Sequence, residues 1–127
     1  MERTLAMCNR YESDQVVERC VKILRSARAD GKLRENPKTY EHEVTVALNF
    51  LDSIAIGIQQ GLYDERLARD HTESIVQHYY EQYLRDQTAA EAVGIFCRDY
   101  ERLCSMAQKW AKAKVYFQAR PTWWRLT

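Results

Sequence analysis

Apolar residues recur along this chain at spacings of three and four, which is the period of one face of an α-helix. Four segments show this pattern, and none shows the strict alternation of a half-buried strand. The pattern predicts helices at residues 13–29, 38–60, 64–84 and 88–114. The expected fold is therefore all-α, a single-domain antiparallel bundle of about four helices with a short aromatic and basic tail at residues 115–127.

Local signals mark the ends of these predicted helices. The side chain of Ser13 or Asp14 can accept from the free N–H groups that open the first helix. Gly61 is expected to end the second helix, because glycine adopts the left-handed conformation there at little cost. Thr88 and Glu91 have the spacing of a capping box, which predicts the start of the fourth helix.

The second predicted helix is apolar over most of its circumference, as is typical of a central helix, and Leu51 is expected in its core. A polar strip interrupts it, in which Asn49, Asp52 and Ser53 lie side by side because they are three or four residues apart. We interpret the strip as the exposed edge of a buried helix. A binding strip, or a buried polar pair that fixes the helix register, is the alternative. Gly57 is expected to allow a close helix crossing.

The composition indicates one folded domain. The 127 residues are 46% hydrophobic and 29% charged, which is ordinary for a globular chain. No apolar run reaches the roughly 18 residues of a membrane span, and the N-terminus shows no secretory signal. We therefore expect the chain in the cytoplasm. In that compartment its four cysteines would be reduced, small, buried side chains, at Cys8, Cys20, Cys97 and Cys104.

Charge is distributed unevenly although the net charge is only +1. Residues 1–34 carry a net charge of +3, residues 35–101 a net charge of −8 and residues 102–127 a net charge of +6. An acidic middle between two basic ends indicates either self-complementary packing or a two-signed surface that selects a charged partner.

The chain shows no motif of a catalytic or metal centre. It lacks a Gly-rich phosphate loop, a GxSxG elbow and an HExxH pair. His71 and His78 are seven residues apart, about 10 Å along a helix, so they would need further metal ligands from another helix. We interpret both as hydrogen-bonded residues at the core edge. We therefore expect that this protein is not an enzyme and that it uses no metal or cofactor.

The end of the fourth helix and the tail combine aromatic and basic side chains, which are types enriched in interface hot spots. Pro121 stops any helix, and residues 115–117 are expected to form a short extended piece. The tail is expected either to cover the chain's own core or to dock on a second copy or on another protein. The residues expected at such an interface are Trp110, Tyr116, Phe117, Arg120, Trp123, Trp124 and Arg125.

Nucleic-acid binding is the alternative for these basic regions. Basic residues between aromatic ones can follow a phosphate backbone and stack on bases. The acidic middle of the chain opposes this, because it repels phosphate. The first helix offers a second basic face, at Lys22, Arg25, Arg28 and Lys32.

The stretch from Asn49 to Glu65, with the later RDYERL segment, resembles an uncharacterised bacterial family of helical domains. Its members pair an Asn-Phe-(apolar)-Glu helix with a Gly-(Leu/Ile)-x-Asp-Glu restart, and the resemblance covers residues 14–112. Asp52 stands where Glu is usual, and the N-terminal membrane anchor that many members carry is not seen. The family has no established activity, so the resemblance implies an all-helical fold and no reaction.

The small size is similar to that of proteins encoded by phages and mobile elements, which commonly bind a host protein. We therefore expect a protein-binding module, either an adaptor or an inhibitor of a nucleic-acid-handling host defence complex. In this hypothesis the acidic residues of 35–101 occupy a basic nucleic-acid channel, while the aromatic tail anchors the complex.

Overall fold

The computed structural model describes the backbone of residues 2–118 and the side chains of residues 2–9 and 14–113. Every regular element in this part of the chain is helical, which confirms the all-α class. The α-helices are α1 (Glu2–Ser13), α2 (Gln15–Ala29), α3 (Lys32–Glu35), α4 (Glu41–Gln59), α5 (Glu65–Tyr79), α6 (Gln87–Val93) and α7 (Glu101–Gln118). Two 3-10 turns, Pro37–Tyr40 and Cys97–Tyr100, and a π-helical turn, Tyr80–Leu84, lie between them. Within residues 2–118 no helix is long and apolar enough to cross a membrane.

The central helix is α4, which packs against α1, α2, α5 and α7. Its residues Val44, Leu48, Leu51 and Ile54 have no exposed surface, so the predicted apolar stripe is confirmed. After α4 the chain turns at Gly61, whose φ of 76° lies in the left-handed region. The prediction that Gly61 ends this helix is therefore confirmed.

Three aspartates start helices by accepting hydrogen bonds from free N–H groups. Asp14 caps α2, Asp64 caps α5 and Asp86 caps α6. The cap at Asp86 replaces the capping box that was predicted at Thr88 and Glu91. The N–H of Thr88 donates to Asp86 at 2.9 Å, and Thr88 lies inside α6, so Thr88 and Glu91 do not form a box.

The predicted helix over residues 88–114 is wrong, because α6 and α7 are separate. Gly94 has φ 95° and ends α6. The chain is extended at Phe96 and forms a 3-10 turn before α7 begins at Glu101. A Cβ atom at position 94 would lie 3.0 Å from the carboxyl carbon of the exposed Glu41 side chain, which can move away, so the backbone conformation is what requires glycine at this turn.

The first helix, α1, was not predicted. It packs against α2 and α5. Thr4 is 2% exposed, and its hydroxyl accepts from the backbone N–H of Asp64 at 2.9 Å. This bond holds α1 against the start of α5. The apolar pattern of the segment is weak because a threonine occupies a buried position.

The role of Gly57 also differs from the expected helix crossing. A Cβ atom at this position would overlap the ring of Tyr63. The carbonyl of Gly57 accepts from the N–H groups of Leu62 and Tyr63, at 2.8 Å and 3.3 Å. The glycine therefore lets the connection to α5 fold back onto the last turns of α4.

Candidate functional site

The polar strip of α4 separates into an exposed part and a structural part. Asn49 and Ser53 are exposed, as predicted, and the Ser53 hydroxyl donates to the Asn49 carbonyl at 2.8 Å. Asp52 is half-buried, and its carboxylate accepts from the backbone N–H of Leu103 at 3.2 Å. Leu103 lies in the first turn of α7, where N–H groups lack partners within the helix. Asp52 therefore caps α7 from α4.

A groove of 510 Å³ lies beside Asp52, between α4 and α7. Acidic and basic residues alternate along its walls, and several already pair with each other. Arg102 donates to the side chain of Gln59 at 2.8 Å, and Lys109 forms an ion pair with Glu65 at 2.8 Å. Because these charges are engaged within the chain, the groove presents no strong field of one sign.

The outer surface of α2 differs from this groove because it exposes large apolar side chains. Val16 is 58% exposed and Ile23 is 36% exposed, while Val17 and Val21 in the neighbouring stripe of the helix lie in the core. We define the α2 outer face as Val16, Arg19, Lys22, Ile23 and Ser26. A groove of 330 Å³ beside Ile23 extends this face.

A contact between α2 and α5 forms a second candidate site. A terminal nitrogen of Arg28 lies 3.3 Å from Nδ1 and 3.1 Å from Nε2 of His78. Burial, and then the positive charge of Arg28, lower the pKa of His78. Burial raises the pKa of Tyr83 to about 12. A cavity of 100 Å³, the Arg28 cavity, is lined by Val21, Leu24, Arg25, Arg28, His78, Tyr79 and Tyr83.

The two predicted histidines therefore have different surroundings. His78 is half-buried and hydrogen-bonded, as expected. His71 is exposed rather than at the core edge, and its ring bonds the carbonyl of Leu67, one turn earlier, at 3.1 Å. Within the described side chains, no group of three or more His, Cys, Asp or Glu residues is placed to hold a metal ion.

A comparison with protein-family models identifies the domain. The model described as "Domain of unknown function (DUF4760)" matches residues 1–110. This chain belongs to the DUF4760 family. The match confirms the resemblance to an uncharacterised family and extends it through α1. No curated protein and no solved structure is significantly similar to the chain.

The DUF4760 match ends within α7 at Trp110, a residue predicted to bind a partner. Trp110 is 1% exposed, so it belongs to the core of the domain, and its carbonyl accepts from Arg69 at 3.2 Å. The helix continues to Gln118, so residues 115–117 are helical, not extended as predicted. The side chains of Tyr116 and Phe117 lie outside the described residues, as do residues 119–127 with Arg120, Trp123, Trp124 and Arg125.

The cysteines of the DUF4760 domain are all free thiols. Cys8 and Cys20 are buried, as predicted, whereas Cys97 and Cys104 are half-buried. Burial raises the pKa of all four thiols, and that of Cys104 reaches about 11. A raised pKa keeps a thiol protonated at neutral pH and makes it a poor nucleophile.

Sequence reasoning named Arg28 and His78 separately but missed their contact. They are fifty residues apart and lie on different predicted helices, so no local spacing relates them. The α2 outer face is easier to recognise in the sequence. Val16 and Ile23 are apolar residues seven apart that fall outside the inward stripe of the same helix.

Proposed function

We propose that this DUF4760 domain is a non-enzymatic protein-binding module that docks on its partner through the α2 outer face. The observation that carries the proposal is the exposure of Val16 and Ile23, which lie beside the stripe of α2 that fills the core. Apolar anchors at positions i and i+7 of a helix are the arrangement with which a helix enters a groove of another protein.

Charge around these anchors indicates the chemistry of the partner. Residues 19–38 hold seven Lys/Arg against two Asp/Glu. The basic residues Arg19 and Lys22 belong to the α2 outer face itself, and Lys22 also pairs with Glu18 at 2.9 Å. A complementary partner is a protein with an apolar patch rimmed by acidic residues, because such charges steer encounter and select the partner.

The groove beside Ile23 also supports docking through the α2 outer face. It is lined by the half-buried ring of Tyr40, by Lys22, Ala27 and Lys32, and by Asp30, whose carboxylate opposes part of the positive charge. An apolar side chain from the partner would contact the aromatic ring of Tyr40 there. Tyrosine at such a position contributes a large contact area at low entropic cost.

The proposal is tested by capture from a bacterial lysate with the immobilised protein, followed by mass spectrometry. The variant Ile23→Asp removes an anchor and places an acid opposite an acidic partner. The matched control is Leu62→Asp, because Leu62 is 48% exposed in the connection between α4 and α5. We expect one protein to be retained by the wild type and by the control, and to fall at least tenfold with Ile23→Asp.

Retention of the same proteins by all three versions would contradict docking through α2. Nuclease treatment of the lysate separates the nucleic-acid alternative. If nuclease abolishes capture, and the bound material shows a steep salt dependence, the basic residues bind nucleic acid instead. Inhibition of a host defence complex, and docking through Trp123 and Trp124, stay predictions from the sequence.

A further inference from the structure

The Arg28 cavity contains positive charge that no carboxylate among the described side chains neutralises by direct contact. Among the described side chains, the ion pairs involve Lys22, Arg69 and Lys109, and none involves Arg25 or Arg28. The polar contact of Arg28 is with the imidazole of His78, of which one nitrogen can accept, and this neutral ring carries no negative charge. A guanidinium has five N–H donors, so this contact leaves most of its donor capacity unused.

The other polar groups of the cavity are suited to hydrogen bonding with an anion. The phenol of Tyr83 stays protonated, since burial raises its pKa to about 12, and it is therefore a donor. The lowered pKa of His78 keeps its ring neutral at pH 7, so one ring nitrogen carries a proton and the other accepts. Val21 and Leu24 form an apolar wall of the cavity, whereas the side chains of Arg25 and Arg28 are exposed to solvent.

The size of the cavity restricts what it can hold. Its volume of 100 Å³ is smaller than that of the grooves beside Asp52 and Ile23. A compact ligand such as a tetrahedral oxyanion therefore suits it better than a nucleobase or a peptide segment. The planar fork of arginine matches phosphate oxygens with two parallel hydrogen bonds.

We propose that the Arg28 cavity binds a phosphoryl group. Arg28 and Arg25 supply the positive charge and the N–H donors, and His78 and Tyr83 supply further hydrogen bonds. Arg28 and Tyr83 also line an open groove of 650 Å³, together with Leu33, Arg34 and Val93. This groove has room for the organic part of a phosphate monoester whose phosphoryl group occupies the cavity.

Phosphate binding would change the titration of His78. The groups that act on its ring are Arg25 and Arg28 from α2, which lower its pKa, and Glu81 from the π-helical turn, which raises it. A bound dianion adds negative charge beside the ring, so the pKa of His78 rises on binding. By linkage, protonation of His78 and binding of the dianion favour each other.

The experiment is calorimetric titration of the full chain with inorganic phosphate. Arg28→Ala is expected to weaken binding at least tenfold, whereas Arg66→Ala, which removes an exposed charge from α5, changes it less than twofold. Equal weakening by the two substitutions means a diffuse electrostatic effect and overturns the proposal. Failure of the wild type to bind phosphate at millimolar concentration also overturns it.

A second readout separates a binding role of Arg28 from a structural one. The imidazole signals of His78, assigned with the variant His78→Gln, should titrate at a higher pH in saturating phosphate than without it. Arg28→Lys keeps the charge and the fold but loses the fork, so its affinity should lie well below that of the wild type. An unchanged His78 titration, or wild-type affinity in Arg28→Lys, contradicts the proposal.

A parallel titration with phenyl phosphate identifies the source of the phosphoryl group. Tighter binding than inorganic phosphate shows that the groove beside Arg34 accepts an organic body, so that the ligand is a monoester. Equal affinity shows that free phosphate is the ligand. In either case Arg28→Ala should weaken the binding of phenyl phosphate at least tenfold. If Arg28→Ala leaves phenyl phosphate affinity unchanged, the cavity is not the binding site.

Discussion

The carboxylate of Asp52 in the central helix accepts a hydrogen bond from the backbone N–H of Leu103, 3.2 Å away, and so caps α7 from a different element. The residues that precede α7 form a 3-10 turn after the extended Phe96, so α7 starts in a connection with no capping side chain of its own among the contacts described. The bond fixes where α7 begins relative to α4. Asp52 is thus the one residue of the polar strip Asn49, Asp52 and Ser53 that is described in contact with another helix, and it makes this contact alone rather than as part of a buried polar pair.

Replacing Asp52 by Ala should lower the free energy of unfolding by about 1 kcal/mol, the usual effect of losing a helix cap. Asp52→Asn keeps the oxygen acceptor and should lose much less. Urea denaturation of the two variants at pH 7 measures the difference. An equal loss in Asp52→Ala and Asp52→Asn would contradict a capping role.

The pH dependence of the same pair has a definite sign. Burial raises the pKa of Asp52 above its ordinary value of 3.8, against the opposing effects of the Leu103 bond and of Arg102. A raised pKa in the folded state means that the stability from this group is present below about pH 4 and is lost as the pH rises through the raised value. The wild type should therefore lose stability relative to Asp52→Asn between pH 3 and pH 6.

Gly57→Ala should lower the stability of the domain by about 1–3 kcal/mol, because the added methyl group overlaps the ring of Tyr63. Thermal melts give the change. Tyr63→Ala in the Gly57→Ala background should recover part of the loss, since it removes the clash. Ser53→Ala, on an exposed position of the same helix, is the control and should change stability by less than about 0.5 kcal/mol. A neutral Gly57→Ala would refute the close approach.

Leu51→Ala should cost about 2–5 kcal/mol, as for other leucines that are fully enclosed. Asn49→Ala should cost less than about 0.5 kcal/mol, because the Asn49 side chain is exposed on the same helix. Chemical denaturation of both variants provides the comparison. Similar losses for the two substitutions would be inconsistent with the buried and exposed sides assigned to α4.

The parts of this fold that the sequence predicted are those that depend on local chemistry. The apolar stripe of α4 and the turn at Gly61 follow from spacing and from the conformational freedom of glycine. The break at Gly94 was missed because apolar residues continue at helical spacing across it, and a glycine inside a helical pattern is usually tolerated. Helix α1 was missed because Thr4 fills a core position with a polar side chain.

The candidate site was less predictable than the helices. The contact of Arg28 with His78 and the bond from Leu103 to Asp52 join residues about fifty positions apart, and only the packing of helices brings them together. Trp110 illustrates the opposite difficulty. Its residue type is equally suited to an interface and to a core, and burial alone shows which role it has in this chain.

His78 should make the domain less stable in mild acid. Burial, and then Arg28, lower its pKa below the ordinary value of 6.5, so the stability that depends on its neutral ring is present above pH 6.5 and is lost as the pH falls through the lowered value. In phosphate-free buffer, His78→Gln should show a smaller decline between pH 7.5 and pH 5 than the wild type. His71→Gln, at an exposed position, is the control and should follow the wild type.

The most direct measurement of the proposed docking surface is photo-crosslinking in a bacterial lysate, with a photoreactive amino acid placed at Ile23 in one version and at Leu62 in another. Both positions are exposed, but only Ile23 lies on the α2 outer face. The account predicts one defined adduct with another protein at position 23 and none at position 62. An adduct from position 62 alone, a self-adduct of the chain, or no adduct at position 23 would contradict docking of a partner protein on α2.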